Sequence, residues 1–278
     1  MPLFQTKRSV VIILPDSLLV VRKFPERDDI KIYAISDVHL GAKECMEQEF
    51  LAFIEYVKNT PDVYLILVGD LINNATKSSV SNCFDDVYRP SEQKKLMAKI
   101  LEPVKDRILC AIPGNHEDRS GKDVDDDPMY DIMAKLDIED RYRKNRAILK
   151  LQFGDNQKNH GGRNPTYVFA VVHGSGGGVL TGGSVNKAER YAYTFDGVDA
   201  LIMGHTHKPL NTTPGKIRID PRNNIAKQVP FDVIVATSWL KYSDYAAKKM
   251  LAPTSHVFQK ITLCGTKKEI EISTKHSY

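Results

Sequence analysis

The sequence predicts a four-layer αββα sandwich, an α/β fold with two mixed β-sheets face to face and helices on both outer surfaces. Three observations lead there. Five β-branched apolar runs, at residues 32–35, 63–68, 108–112, 168–172 and 200–203, read as strands buried on both faces. Further strand-like runs follow at 231–236, 257–263 and 269–272, too many for one compact sheet beside the first five. Stretches with helical spacing separate the early runs, as they must if neighbouring strands are parallel. A chain of 278 residues with 42% hydrophobic content can bury such a core as a single domain.

Taken in order, residues 10–14 and 18–21 are short apolar runs around Pro15-Asp16-Ser17. They predict an N-terminal hairpin within residues 1–30, rather than a signal or membrane-spanning helix. The strand at 31–35 follows. Phe50, Phe53, Ile54 and Val57 share one face of a helix over 47–58. Ser91 is placed to cap a helix whose Leu96, Met97, Ile100 and Leu101 face inward, ending near Pro103. Tyr130, Met133 and Leu136 suggest a third, shorter helix, and strands resume at 148–153 and 167–172. Residues 208–278 are expected to supply the C-terminal strands of the second sheet.

Each of the first five runs ends in polar residues: Asp37-Val38-His39, Gly69-Asp70, Gly114-Asn115-His116-Glu117, His173-Gly174 and Gly204-His205-Thr206-His207. Open α/β sheets build their sites beyond the carboxyl ends of strands, so these runs predict one site assembled from many loops. They supply Asp37, Asp70, His39, His173, His205, His207 and Asn115, seven N/O donors and too many for one tetrahedral ion. Two ions sharing a carboxylate, about 3.5–4 Å apart, suit them better. Imidazole with carboxylate and no thiolate points to zinc, manganese, iron or nickel without choosing among them, and manganese is taken as the first expectation. His116, directly after Asn115, is placed to donate a proton to a leaving group.

From Asp37 to His207 this ordered set resembles the calcineurin-like metallophosphoesterases, small bacterial and phage members in particular. The resemblance implies the metallo-dependent phosphatase fold. It assigns Asp37, His39, Asp70 and His207 to one metal and Asp70, Asn115, His173 and His205 to the second, with Asp70 bridging. By the same resemblance His116 would be the catalytic histidine, and a metal-bridging hydroxide would attack phosphorus in line. One departure narrows the substrate. Relatives often carry Gly-Asp-x-x-Asp at the second motif, followed in phosphoprotein phosphatases by arginine, whereas this chain has Asn73 and Asn74. That favours phosphodiesters over phosphoproteins.

Secondary features extend the expectation. Arg119 could meet a substrate phosphate. Gly176 and Gly177, in the glycine-rich stretch after His173, could bring backbone N–H groups to it. Tyr245, near Trp239 and Tyr242, could stack on a base. Lys187 and Arg190 follow at helical spacing, and the basic run 141–146 could track a phosphate backbone, although such runs are commonly solvated loops. Asp123–Asp127 reads as a solvated loop. Net charge of +4 admits an anionic substrate without requiring nucleic acid. Four cysteines without metal spacing suggest a reducing, cytoplasmic setting, and no membrane partner is expected. The expected enzyme hydrolyses phosphoesters. Its rivals are a DNA-repair-type nuclease, against which the strand-like stretch after His207 speaks because it leaves little room for a large cap, and a metal-binding scaffold without turnover. Oligomeric state is not legible.

Overall fold

The computed structural model describes residues 18–26, 28–77, 79, 84–154, 164–176, 180–242, 244–248, 250 and 252–276. It shows the predicted layers. One sheet has six strands in the order β1 (Leu19–Phe24), β5 (Arg146–Phe153), β6 (Thr166–Val172), β7 (Ala200–Met203), β11 (Asp232–Val235), β8 (Leu210–Thr212). The other has five, in the order β13 (Ile270–Lys275), β12 (Phe258–Leu263), β2 (Ile30–Ile35), β3 (Val63–Leu67), β4 (Ile108–Ala111). Both are mixed: β2, β3 and β4 run parallel, as do β6, β7 and β11, while β12–β2, β5–β6 and β11–β8 are antiparallel.

Strand alternation explains why both sheet faces are apolar. Ile32 and Ile66 of one sheet meet Leu149, Phe169, Val171, Ile202 and Ile234 of the other in the central layer. Tyr33, Ile35, Leu65 and Leu67 point the opposite way, onto α1 (Glu47–Asn59), α2 (Pro90–Leu101) and α4 (Pro128–Lys135) through Phe50, Phe53, Met97 and Ile132. On the far side, Ala170, Leu201, Val233 and Val235 cover Ala188 and Ala192 of α5 (Thr181–Ala192).

The N-terminal hairpin lies partly outside the described residues, two expectations need correction, and one helix goes unread in the sequence. The run 10–14 lies outside the described residues, and the following run, in β1, pairs in parallel with β5 at the rim of the six-stranded sheet. The strands after residue 208 do not gather in one sheet. β8 and β11 join the six-stranded sheet, β12 and β13 the five-stranded one, and β9 (Gly215–Asp220) with β10 (Ile225–Pro230) forms a separate antiparallel ribbon. The ribbon escaped sequence reading because its isoleucines alternate with cations and bury nothing continuous. Helix α2 begins at Pro90 without a Ser91 cap, its first turn closed by the Arg89 N–H donating to Glu92 Oε2 at 2.9 Å; proline's fixed φ suits that first position. Finally, 117–124 is a helix, α3 (Glu117–Val124), which its eight polar-rich residues hide from any test of apolar period.

The acidic stretch after it is also not simply solvated. Asp126 pairs with Lys94 at 2.9 Å, and Asp127 caps α4 and accepts from the Tyr142 hydroxyl at 2.6 Å. Short helix α6 (Asp244–Lys248) completes the set. No helix among the described residues is long and apolar enough to cross a membrane.

Candidate metal centre

Strands β2, β3, β4, β6 and β7 all deliver their carboxyl ends to one edge, where the two sheets are stitched together. The His173 ring donates from Nδ1 to Val68 O at 2.6 Å, and the His205 backbone N–H donates to Asp37 Oδ2 at 2.9 Å. Two glycines permit this closeness. Gly69, at φ +84°, lies so near the Gly114 backbone that a Cβ would collide with it, and a Cβ on Gly204 would strike Ser36. Asp37, His39, Asp70, His205 and His207 all adopt positive φ, a conformation disfavoured for residues with a Cβ, so the loops are held there by their contacts.

Each site carboxylate has one oxygen held and one directed at imidazoles. Asp70 Oδ1 accepts from the His116 backbone N–H at 2.8 Å, while Oδ2 stands 3.2 Å from His173 Nε2, 3.9 Å from His116 Nε2 and 4.0 Å from His39 Nε2. Asp37 Oδ1 lies 3.1 Å from His207 Nε2 and 3.8 Å from His39 Nε2, and is buried without a hydrogen-bond donor. His39 Nε2 and His207 Nε2 are 3.4 Å apart, and His173 Nε2 is 3.2 Å from Asn115 Oδ1. Donor atoms of Asp37, His39 and His207 therefore cluster, as do those of Asp70, His173 and His205. A third cluster, His39, Asp70 and His116, overlaps both. The seven expected ligands come together, with Asp70 between the two groups. Asp37, His39, Asp70 and His173 are buried, while Asn115, His116, His205 and His207 face the opening.

The electrostatics ask for cations. Burial alone would raise Asp37 and Asp70, but His207 beside the first and His173 beside the second hold both carboxyls well below the ordinary range. Burial opposes a charge on His173, yet Asp70 pushes it up to about 10. The carboxylates thus demand positive charge in the space between the rings. Divalent ions would satisfy that demand and leave the imidazoles as neutral ligands, with the Val68 carbonyl fixing Nε2 of His173 as the free nitrogen. The bare Oδ1 of Asp37 and the facing Nε2 atoms fit such ions.

His116 is engaged on both nitrogens. Nδ1 donates to Asn73 O at 2.8 Å and lies 3.2 Å from His39 Nδ1, while Arg119 Nη2 sits 2.9 Å from Nε2. Arg119 also donates to Asn73 O at 3.0 Å. The two asparagines that depart from the family pattern are buttresses here. Asn73 donates to Asp86 at 2.7 Å, and Asn74 donates to His116 O and Ser120 Oγ, each at 2.8 Å.

Glu117 is the residue sequence reasoning left without a role. It is fully buried and accepts from four backbone N–H groups: Asp70 and Gly114 on Oε2, Leu71 and Ile72 on Oε1, at 2.8–3.2 Å. Burial first, then the nearby Asp70 charge, push its carboxyl up to about 7, against the pull of those donors. It ties the Asp70 loop to the Asn115 loop. An acid at the start of a helix was the available signal, had α3 been seen.

Of the remaining expected residues, Gly176 (φ +61°) lies against Lys187 Nζ, and Gly177 and the Tyr245 side chain fall outside the described residues. Trp239 does not fold over the centre. It is fully buried against Phe50, Phe53, His256 and Phe258, and its backbone N–H donates to Asp37 O at 3.0 Å. Two arginines of the basic run 141–146 are committed to the scaffold: Arg141 is buried and donates to Lys105 O and Ile108 O, both at 2.8 Å, and half-buried Arg143 donates to Leu19 O at 2.6 Å, while Lys144 and Asn145 are exposed.

Comparison with known proteins finds a family whose matched region contains all the residues of this edge. The family model described as calcineurin-like phosphoesterase matches residues 30–209. Curated relatives include the DNA polymerase II small subunits of Pyrococcus furiosus, 31% identical over 120 residues, and Thermoplasma acidophilum, 29% identical over 112. Those alignments cover 37% and 38% of this chain but 19% and 23% of the relatives, so the chain spans about a fifth of their length. Among solved structures, a Thermotoga maritima protein determined by NMR is 14% identical at a TM-score of 0.38, covering 88% of this chain and 99% of its own. Haemophilus influenzae NAD nucleotidase is 11% identical at 0.38, covering 89% and 49%. Neither structural likeness identifies a function.

Proposed function

The chain belongs to the calcineurin-like phosphoesterase family, and from that membership we propose that it is a dinuclear-metal-dependent hydrolase of phosphodiesters. The observation that carries the reading is the convergence of seven N/O side chains, with Asp70 grouped with His173 and His205 and its Oδ2 also 4.0 Å from His39 Nε2 of the other group. Asp37, His39, Asp70 and His207 would hold one ion, and Asp70, Asn115, His173 and His205 the other. Two divalent ions, manganese first among the candidates, would supply Lewis acidity toward the phosphoryl oxygens and an activated water.

The chain's own residues do the rest. Asn73 O fixes the His116 proton on Nδ1, leaving Nε2 to take up a proton from solvent, and the resulting imidazolium passes that Nε2 proton to the leaving oxygen, returning the ring to its neutral Nδ1–H form. Arg119 covers that nitrogen in the absence of substrate. An anionic phosphoryl group offers the guanidinium a stronger, charge-assisted partner, so substrate arrival would draw Arg119 off His116 and free it. Glu117 keeps Asp70 and Asn115 in register. The diester preference rests on Asn73 and Asn74, which are committed to Asp86 and Ser120 and add no positive charge for a phosphate dianion.

The test is turnover of bis-p-nitrophenyl phosphate against p-nitrophenyl phosphate, on metal-stripped protein refilled singly with Mn, Zn, Fe, Ni or Mg. Diester turnover that returns with bound metal is expected. Preference for the monoester would overturn the diester assignment. A second reading, a subunit that binds without turnover, draws on the names of the DNA polymerase small subunits. Two bound metals without cleavage of either ester or of any DNA end or single strand would favour it.

A further inference from the structure

Between the Gly204-His205-Thr206-His207 loop and β11 the chain leaves both sheets to form the β9–β10 ribbon. The ribbon carries Lys216, Arg218, Arg222 and Lys227 against one acid, Asp220. That acid is committed to the turn, accepting from the Arg222 and Asn223 backbone N–H groups and from Asn223 Nδ2. Arg218 and Lys227 are directly opposite one another across the ribbon, both exposed, and neither forms an ion pair among the described residues. Like charges facing across a ladder repel, so the fold gains nothing from this pair by itself. An anion is the partner that would make it favourable.

The ribbon is also connected to the metal centre. Its base is pinned to the end of α5, where Lys216 Nζ donates to Phe195 O at 3.1 Å and lies 3.7 Å over the Phe231 ring. The other end of α5 follows the His173 loop. From the middle of the helix Lys187 Nζ reaches back to donate to Ser175 Oγ at 3.2 Å, two residues beyond His173. Arg190 lies one turn further along the same exposed face. Lys187, Arg190 and the pair Arg218–Lys227 therefore mark a cationic path from the rim of the centre, along the last turn and a half of α5, about 8 Å, and out onto the ribbon.

We propose that α5 and the β9–β10 ribbon bind the phosphate backbone of a polynucleotide and lead it to the centre. The inference rests on the phosphodiesterase reading and names its substrate class. It favours nucleic acid because the cations are spaced along an extended path, whereas a small phosphoester would meet only the first of them. A two-stranded ribbon is also a shape that nucleic-acid grooves admit.

The experiment compares the unaltered metal-loaded protein with R218A/K227A. Affinity for a fluorescent phosphorothioate oligodeoxythymidine is measured across a salt series, alongside bis-p-nitrophenyl phosphate turnover and sedimentation. The double variant should bind the oligonucleotide more than tenfold more weakly at low salt. The slope of log affinity against log salt should become shallower by about 1.4, the value for two lost single-strand phosphate contacts. Lys187→Ala repeats the test at the other end of the path and should remove about half that slope change. Unchanged affinity and slope in both variants would overturn the proposal. So would a change in oligomeric state at constant slope, which would make the ribbon, with Ile217 and Ile219 exposed on its opposite face, an interface between copies. If neither protein hydrolyses the small diester while oligonucleotide binding still depends on the ribbon, the reaction assignment fails and the polynucleotide path stands.

Discussion

The carboxyl edge of the sheets and the β9–β10 ribbon treat polar groups in opposite ways. At the edge nearly every polar atom is held by another: Asp70 by the His116 N–H, His173 by Val68 O, His116 by Asn73 and Arg119, Glu117 by four backbone N–H groups. On the ribbon, Arg218 and Lys227 face one another as like charges and form no close ion pair among the described residues, Lys227 meeting only the more distant charge of Asp220. The difference teaches that precision and charge are supplied separately. The edge has the rigidity that positioning of reacting atoms needs, and the ribbon has the unpaired charge that capture needs.

Changes at the edge should therefore be large and specific to single atoms. Asp70→Asn changes the carboxylate proposed to bridge the two ions, and is expected to abolish turnover and leave fewer than two metals per chain by elemental analysis. Retention of two metals would contradict the bridging role. Next, His116→Gln should lower turnover on the order of 10²–10⁴-fold with metal content unchanged; an unaltered rate would remove His116 from the chemistry. Glu117→Gln turns an amide NH2 toward two of the backbone donors now bound by carboxylate. Leaving them unpaired should cost about 2–6 kcal/mol of stability, read by denaturant unfolding, and lower metal affinity with it. A variant as stable as the parent would show that the Glu117 bonds are replaceable.

Changes away from the edge should be smaller and additive. A single ribbon substitution such as Arg222→Ala should weaken oligonucleotide binding only a few-fold, roughly as one phosphate contact. Arg143→Ala sharpens the contrast, because its guanidinium is bound to Leu19 O and Asp140 O. It should leave the salt slope of oligonucleotide binding unchanged, and a slope change as large as that of Arg218 would erase the distinction between the two basic stretches.

The sequence by itself determined the layered fold and the seven clustered donors. Strands buried on both faces must be continuously apolar, and five of them in order are followed by Asp, Asn and His, the residue types that ligate metal, where a single such turn would mean little. Asp37, His39, Asp70, Asn115, His173, His205 and His207 were legible for that reason. Tertiary structure decided what depends on distant backbone. Glu117 became a clasp only because the Asp70 and Gly114 loops present their N–H groups to it. Arg141 and Arg143 turned inward because the carbonyls of Lys105, Ile108 and Leu19 lie within reach. Arg218 and Lys227 stayed free because their strands pair only with each other, apart from both sheets. A charge is visible in a sequence; whether it is satisfied depends on which backbone the fold brings beside it.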